Sequence, residues 1–263
     1  MFFKKSAFIT SRSLLRNVNK LSINLNLKSI KSFNTSTSTK CFSTAIAIET
    51  KLKFSIEEVN EMSAVEWQTN FEKELDSVVE LHTNKQISHE ESSKSMKTLI
   101  QSGLLRHTDL TSRPERFFLA HRLLAAHATK IGPGFWIRFT VHYNLCMGTI
   151  LGLGSDEQIS LLDTIQNEGE LGCFSLTEKF AGVNSGLIVN TIANYNTNKT
   201  FTLSTPIEGA KKNWISQGFV ADKTVVVADL RIKDKSYGPH AFMINLREHG
   251  VVTNGVSFAD MGT

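Results

Sequence analysis

Two polar segments hold the side chains with the clearest chemical potential. Residues 172–186 end in a glycine-bearing turn, where backbone can approach a flat ligand closely because glycine has no Cβ. In this segment Thr177 can both donate and accept hydrogen bonds, as the edge of a heteroaromatic ring requires. Residues 209–217 offer the aromatic face of Trp214 and a neighbouring serine. Two interpretations stay open: a site for a planar ligand, or a sandwich core in which Phe174 and Trp214 only pack.

Several other kinds of site are excluded by spacing. The sequence has neither a Walker phosphate loop nor a G-x-S-x-G nucleophile elbow. Gly152 and Gly154 begin like a dinucleotide fingerprint, but Glu157 occupies the third glycine position. His121 and His127 are six residues apart on a predicted helix. At about 100° per residue they point to different faces, so we expect packing or surface histidines and no metal site.

The first 43 residues have an unusual charge pattern. They carry eight of the 29 basic residues and no acidic one, with apolar residues at helical spacing (Phe8, Leu14, Leu15 and Leu21). This composition is typical of an organelle transit peptide and favours a mitochondrial location, although a disordered tail is the alternative. No apolar run approaches the ~20 residues that span a bilayer, so we expect a soluble protein without membrane insertion.

The rest of the chain is mildly acidic. Once the leader is set aside, acidic side chains outnumber basic ones by four, which gives no support to a basic patch for nucleic acid. The three cysteines (Cys41, Cys146 and Cys173) lack C-x-x-C spacing, so neither a zinc site nor a disulfide framework is indicated. Cys146 and Cys173 lie among apolar residues and are predicted to be buried thiols.

Helical signals dominate up to about residue 168. Ser55 and Glu58 form a predicted capping box, and Pro114 suits the first turn of another helix. The G-P-G run at residues 132–134 must end that helix. Residues 136–151 are apolar on nearly all sides and predict a core helix, after which Ser155 caps a further helix.

Period-two patterns follow after residue 169. Strands are predicted at residues 187–194, 200–204, 224–230 and 240–246, with a hairpin turn at 195–198. Helices followed by a block of strands predict an α+β fold, in which a helical domain precedes an antiparallel β-barrel or sandwich. The predicted division is a disordered leader (1–44), an α-helical domain (45–168) and a middle β domain (169–263), which can be complete or incomplete.

Five ordered blocks resemble the acyl-CoA oxidases and acyl-CoA dehydrogenases, oxidases most of all. Examples are P-E-R-F-F-L-A-H-R and G-C-F-S-L-T-E. The blocks occupy residues 114–122, 143–154, 172–178, 238–247 and 255–262. The resemblance covers about 114–263 and implies the helical and β domains of that family, without its C-terminal helical domain.

This resemblance implies FAD as the cofactor. In such proteins the residue matching Thr177 and the backbone matching Ser216 contact the flavin ring, and the residue matching Trp214 lies beside it. The loop matching residues 174–183 faces the flavin as a whole. The implied cofactor-binding residues are Phe174, Thr177, Gly182, Trp214, Ile215 and Ser216. Many relatives place a hydroxyl after the glycine, where this chain has Val183.

The implied reaction is oxidation of an acyl-CoA to the trans-2-enoyl-CoA. Oxygen or an electron-transfer flavoprotein would reoxidise the flavin. The family's general base is a glutamate of the C-terminal helical domain, so no catalytic residue is assigned in this chain, and Glu178 is not given that role. The resemblance also implies an acyl-CoA substrate and a homodimer in the full-length form. Peroxisomes are the alternative location, and a non-catalytic remnant or partner subunit is the alternative function.

Overall fold

Between residues 56 and 167 the described chain is mostly helical. A computed structural model describes residues 4–6, 52–82 and 87–260. Within these ranges the helices are α1 (Ile56–Glu61), α2 (Ala64–His82), α3 (His89–Gln101), α4 (Asp109–Ser112), α5 (Pro114–Ile131), α6 (Pro133–Thr140), a π-helix (Val141–Met147), α7 (Gly148–Leu153) and α8 (Asp156–Asn167). None of these described helices combines the length and the apolar character needed to cross a membrane.

The helix starts follow from local sequence. The side chain of Ser55 accepts a hydrogen bond from the backbone of Glu58, which reaches back to the Ser55 amide, so the predicted capping box is confirmed. Ser155 caps α8 in the same way, as predicted. Pro114 and Pro133 each stand at the first turn of a helix, where the missing N–H costs nothing.

The predicted core helix is not uniform. Its residues are shared among α6, the π-helix and α7, and the exposed fractions of Ile137 and Leu145 are 50% and 40%. Burial on nearly all sides was therefore a wrong expectation. Phe139, Tyr143 and Met147 are buried on one face, and the wider π turn keeps Tyr143 and Met147 on the core side.

The strands form one large mixed sheet and one small hairpin. They are β1 (Lys4–Ser6), β2 (Gly172–Ser175), β3 (Ile192–Tyr195), β4 (Phe201–Ser204), β5 (Lys223–Ile232), β6 (Lys235–Asn245), β7 (Arg247–Glu248) and β8 (Val251–Val252). The large sheet has the order β1-β4-β3-β5-β2, with β6 also paired to β5, and β7 pairs with β8. Apart from β1, the predicted leader lies outside the described residues.

The α+β class is confirmed, with one difference in the sheet. Strands β2 and β3 both run parallel to β5, whereas the sequence pattern predicted antiparallel pairing throughout. The reason is that β5 is distant in sequence from both, so the chain returns to the sheet through long connections rather than through hairpins. No closure into a barrel is present among the described strands.

The helical layer contacts the sheet where the π-helix meets β2. The Nδ1 atom of His142, which is fully buried, accepts a hydrogen bond of 3.0 Å from the amide of Gly172. Cys146 packs directly over Gly172, so that a Cβ at this glycine would collide with the sulfur. Cys146 and Cys173 are free and buried, as predicted, and burial raises the pKa of both thiols.

Candidate functional site

The two polar segments lie side by side. The carbonyl of Thr177 accepts a hydrogen bond of 2.9 Å from the amide of Asn213, and the amide of Lys179 donates one of 2.9 Å to the carbonyl of Lys211. Between these bonds, Glu178 and Lys212 form an antiparallel bridge. The fold therefore brings together segments that are more than 30 residues apart in the sequence.

A buried ion pair fixes this contact. Lys212 Nζ lies 3.0 Å from Glu178 Oε1, and neither side chain is exposed to solvent. The Glu178 carboxylate also accepts hydrogen bonds from the amides of Asn190 and Thr191, each 2.8 Å, and from the Thr191 hydroxyl at 2.7 Å. Burial alone would raise the pKa of Glu178, but these hydrogen bonds and the Lys212 ammonium together lower it.

Lys212 occupies a fork in the sheet. On one edge of β5, residues 223–226 pair with β2 and residues 229–231 pair with β3, which leaves Val227 and Ala228 between the two partners. The Lys212 ammonium donates to the carbonyl of Val227 at 2.7 Å and to that of Leu176 at 3.0 Å. It thus replaces ladder hydrogen bonds where β2 and β3 diverge. Burial lowers the pKa of Lys212 to about 8, so the ammonium form prevails at pH 7.

The turn that follows Lys212 contains Trp214, a residue with both a strained backbone and an exposed side chain. Trp214 has a φ of +57°, a left-handed conformation that is uncommon for a bulky side chain, and 73% of its surface is exposed. Gln217 is also left-handed, and its Nε2 donates to the carbonyls of Gly172 and Arg138 at 3.0 and 3.1 Å. Such strain persists only where surrounding contacts hold it, and it is enriched at ligand sites.

The structure separates the predicted site residues into two groups. Thr177 and Ser216 are half-buried, and Phe174 and Ile215 are half-buried against the core. Trp214 is exposed, and Gly182 has a φ of +53° with no atom within 4 Å of the position a Cβ would take. The core interpretation therefore fits Phe174 and Ile215, whereas Trp214 is not a core residue.

Sequence reasoning missed the role of Lys212. From residue type alone, the adjacent lysines of residues 211–212 would bind phosphate or remain solvated. In the structure Lys211 pairs with Glu208 at the surface, and Lys212 points inward. Side chains alternate between faces in extended backbone, so one lysine of such a pair must turn toward the protein. This alternation, together with a carboxylate in the facing segment, is the signal that was available.

The chemistry of this region is that of binding rather than proton transfer. Glu178 is surrounded by five hydrogen-bond donors, which leave its carboxylate no free side for an outside ligand. The described residues contain no group of three or more potential metal ligands among histidine, cysteine and acidic side chains. His121 bonds to Trp136 and Asn144, and His127 lies 3.6 Å from Asp76, so these two histidines have separate partners.

Comparison with known proteins points to the acyl-coenzyme A oxidases. No family model matches the chain. Acyl-coenzyme A oxidase 2 of Yarrowia lipolytica is 36% identical over 138 residues, which are 49% of this chain and 19% of that protein. The acyl-coenzyme A oxidase of Kluyveromyces lactis is 31% identical over 170 residues, 61% of this chain and 22% of its own length. The chain thus spans about a fifth of the length of the curated relatives it matches.

Solved structures show the same similarity. The crystal structure of acyl-CoA oxidase 3 from Yarrowia lipolytica has a TM-score of 0.59 and 25% identity, over 81% of this chain and 32% of that one. Butyryl-CoA dehydrogenase from Megasphaera elsdenii has a TM-score of 0.53 and 25% identity, over 70% and 50%. Acyl-CoA oxidase-1 of Caenorhabditis elegans, solved with FAD and ATP, shares the fold at a TM-score of 0.55 and 23% identity, over 81% and 34%.

Proposed function

We propose that this chain, which belongs to the family of acyl-CoA oxidases and acyl-CoA dehydrogenases, serves FAD-dependent oxidation of an acyl-CoA to the trans-2-enoyl-CoA. The division of the chain into a helical domain (45–168) and a β domain (169–263) is part of this proposal. FAD, when bound, supplies the hydride acceptor of the reaction. The residues of this chain bind and orient that cofactor.

One observation carries the proposal: the segments that hold Thr177 and Trp214 are tied to each other by a buried ion pair. The two joined segments then present the exposed indole of Trp214, the half-buried hydroxyl of Thr177 and Gly182, which has no atom near the position of a Cβ. This combination suits a planar ring with polar edges, since the indole offers a face and the hydroxyl an edge contact. The strained turn fixes the indole before the ligand arrives, which lowers the cost of binding.

A second function is a non-catalytic scaffold or partner subunit. The environment of Glu178 favours this function. Glu178 is the one acidic residue of segments 172–186 and 209–217, and its carboxylate is fully engaged in hydrogen bonds within the protein. A general base must then come from elsewhere for the reaction to proceed. An acyl-CoA substrate and a homodimer remain parts of the leading proposal.

The cellular location is also a proposal. The basic leader, of residues 1–44, favours mitochondria, and peroxisomes are the alternative. Imaging of a fluorescent protein fused behind residues 1–44 distinguishes the two, since a cytosolic or peroxisomal signal would contradict the mitochondrial proposal.

FAD binding by the purified chain tests the proposed function. We expect weak binding, seen as quenched flavin fluorescence in a titration. Trp214→Ala should weaken it about tenfold, because loss of a ring contact costs on the order of 1 kcal/mol or more. Trp136→Ala is the matched control, since this half-buried indole bonds to His121 in the helical layer.

Two outcomes contradict the reasoning. Equal effects of the two alanine variants would make Trp214 an ordinary surface residue. Tight stoichiometric flavin with peroxide release on addition of an acyl-CoA would exclude the scaffold function and show that the chain needs no outside base.

A further inference from the structure

A cavity lies in the helical layer, and one residue of its wall, Arg138, accepts a hydrogen bond from Gln217 of the 209–217 segment. It has a volume of about 500 Å³ and is bounded by the start of α3, the end of α5 and the first turns of α6. Its described lining contains two cationic side chains, those of Lys130 and Arg138, and no acidic one. Hydroxyl groups of Ser88, Ser92 and Thr129 also line it. The composition of the wall is therefore polar and basic.

Arg138 has an unsatisfied hydrogen-bond donor at this cavity. Its Nη1 atom is buried and has no hydrogen-bond partner. Nearly all buried polar groups in native proteins are hydrogen-bonded, because a donor removed from water without an acceptor costs free energy. Arg138 also lines the cavity, so a rotation of its guanidinium that brings Nη1 to the cavity surface would let an acceptor bound there satisfy this donor.

The backbone adds positive potential at the same place. Helix α6 starts at Pro133 and has no side-chain cap on its N-cap residue, Gly132. The first turn of a helix carries the positive end of the helix dipole. In α6 this turn offers few N–H groups, because Pro133 has none and the amide of Phe135 donates to the carbonyl of Gly132. Gly132 and Gly134 line the cavity, and a Cβ at either would meet no atom within 4 Å. Arg138 lies one turn after Gly134, so its side chain leans back toward this helix start.

One carboxylate opposes this potential. Glu90 is close enough to raise the pKa of Arg138 in part, although burial lowers it overall. Glu90 does not line the cavity, and its carboxylate pairs with His89 Nε2 at 2.7 Å. Two fixed cations and a helix start therefore face the cavity against one carboxylate that is already paired.

We propose that this cavity binds a phosphate-type oxyanion, held by the guanidinium of Arg138, the ammonium of Lys130 and the positive end of the α6 dipole. The shared chemistry is that of inorganic phosphate and of the phosphate groups of larger ligands. Arginine suits such a ligand because its fork of N–H donors matches two oxygens of a phosphate. The proposed ligand contacts all belong to the helical layer, whereas the carbonyl of Arg138 bonds to Gln217 beside the proposed flavin site.

Titration of the full chain with inorganic phosphate, followed by calorimetry at constant ionic strength, tests the proposal. We expect saturable one-to-one binding that Arg138→Gln weakens about tenfold or more, since a charge-assisted hydrogen bond is lost. Lys130→Gln should weaken it less, because Lys130 is exposed and well hydrated. Lys94→Gln is the control, as this exposed lysine of α3 is not in the cavity wall.

The variants should all fold, because Arg138→Gln removes an unsatisfied donor and the lysine changes are at the surface. Circular dichroism of each variant verifies this. Repeating the titration with pyrophosphate and with a phosphate monoester shows whether a larger phosphate-bearing ligand binds more tightly than the free ion. Failure of wild-type protein to saturate by tens of millimolar phosphate would mean that water satisfies Arg138. Unchanged binding by Arg138→Gln would mean an adventitious ion only; either result overturns the proposal.

Discussion

Protonation of His142 should control the acid stability of this protein. The imidazole is fully buried, and its Nδ1 accepts the Gly172 amide proton. The single ring proton of the neutral form must therefore be on Nε2, which is buried without a partner. Burial lowers the pKa of His142 from 6.5 to about 3, because the cationic form cannot be solvated there. A cation would also lose the Gly172 bond.

The direction in which stability changes with pH follows from the different pKa of His142 in the folded and the unfolded chain. Below pH 6.5 the unfolded chain takes up a proton at this residue, whereas the folded chain does so only near pH 3. The contribution of His142 to stability is thus complete above pH 6.5 and is lost as the pH falls. Between pH 7 and pH 5 the loss is about 2 kcal/mol, since each pH unit inside this window is worth ~1.4 kcal/mol.

Urea unfolding at pH 7, 6 and 5 measures this loss. His142→Asn removes the titration but keeps an acceptor, because the amide oxygen can take the place of Nδ1. The variant will be less stable at every pH, so the readout is the change with pH and not the level. Compared with wild type, we expect about 2 kcal/mol less destabilisation between pH 7 and pH 5.

His249→Asn is the matched control. His249 is exposed and has a φ of +51°, a left-handed conformation that asparagine tolerates well. This control should retain the full wild-type response to pH. If His142→Asn retains it as well, the acid sensitivity arises elsewhere, for example at His107 or His121, whose pKa values burial also lowers.

Two further predictions concern the contacts that hold the sheet. Glu178→Gln should destabilise the protein by about 3–5 kcal/mol, because it leaves the Lys212 ammonium buried without its counter-ion, and the double change with Lys212→Met should cost less than the sum of the single changes. Urea unfolding of all three variants measures this, and strict additivity would argue against a coupled pair. Gly172→Ala should cost about 1–3 kcal/mol through its collision with Cys146. Thermal unfolding checks this prediction, and no recovery on adding Cys146→Ala would show that the collision is not the cause.

Local signals in the sequence predicted the helices well. The capping boxes at Ser55 and Ser155 and the proline at residue 114 each act within a few residues, so the pattern alone contains the physical cause. The hairpin of β3 and β4 is local in the same sense. Its first strand nevertheless begins at Ile192, later than predicted, because Asn190 and Thr191 bind Glu178.

Long-range features could not be predicted in this way. The parallel pairing of β2 with β5 joins residues about 50 positions apart, and no residue pattern specifies which distant strand a segment will join. The π-helix depends on packing against β2 and has no sequence signature of its own. Likewise, the sequence placed Thr177 and Trp214 in one site by resemblance, while the ion pair that joins their segments became visible only in three dimensions.

Glu178 joins the two ends of the loop between β2 and β3 through hydrogen bonds. Glu178 lies three residues after the end of β2, and its carboxylate accepts from the amides of residues 190–191, just before β3 begins. The two ends are therefore anchored at one point, and the tip from Gly182 to Ile188 is free to differ in length without shifting β2 or β3. Insertions there should alter what the protein recognises and leave its folding intact, which makes the loop a place where new ligand preferences can evolve at little structural risk.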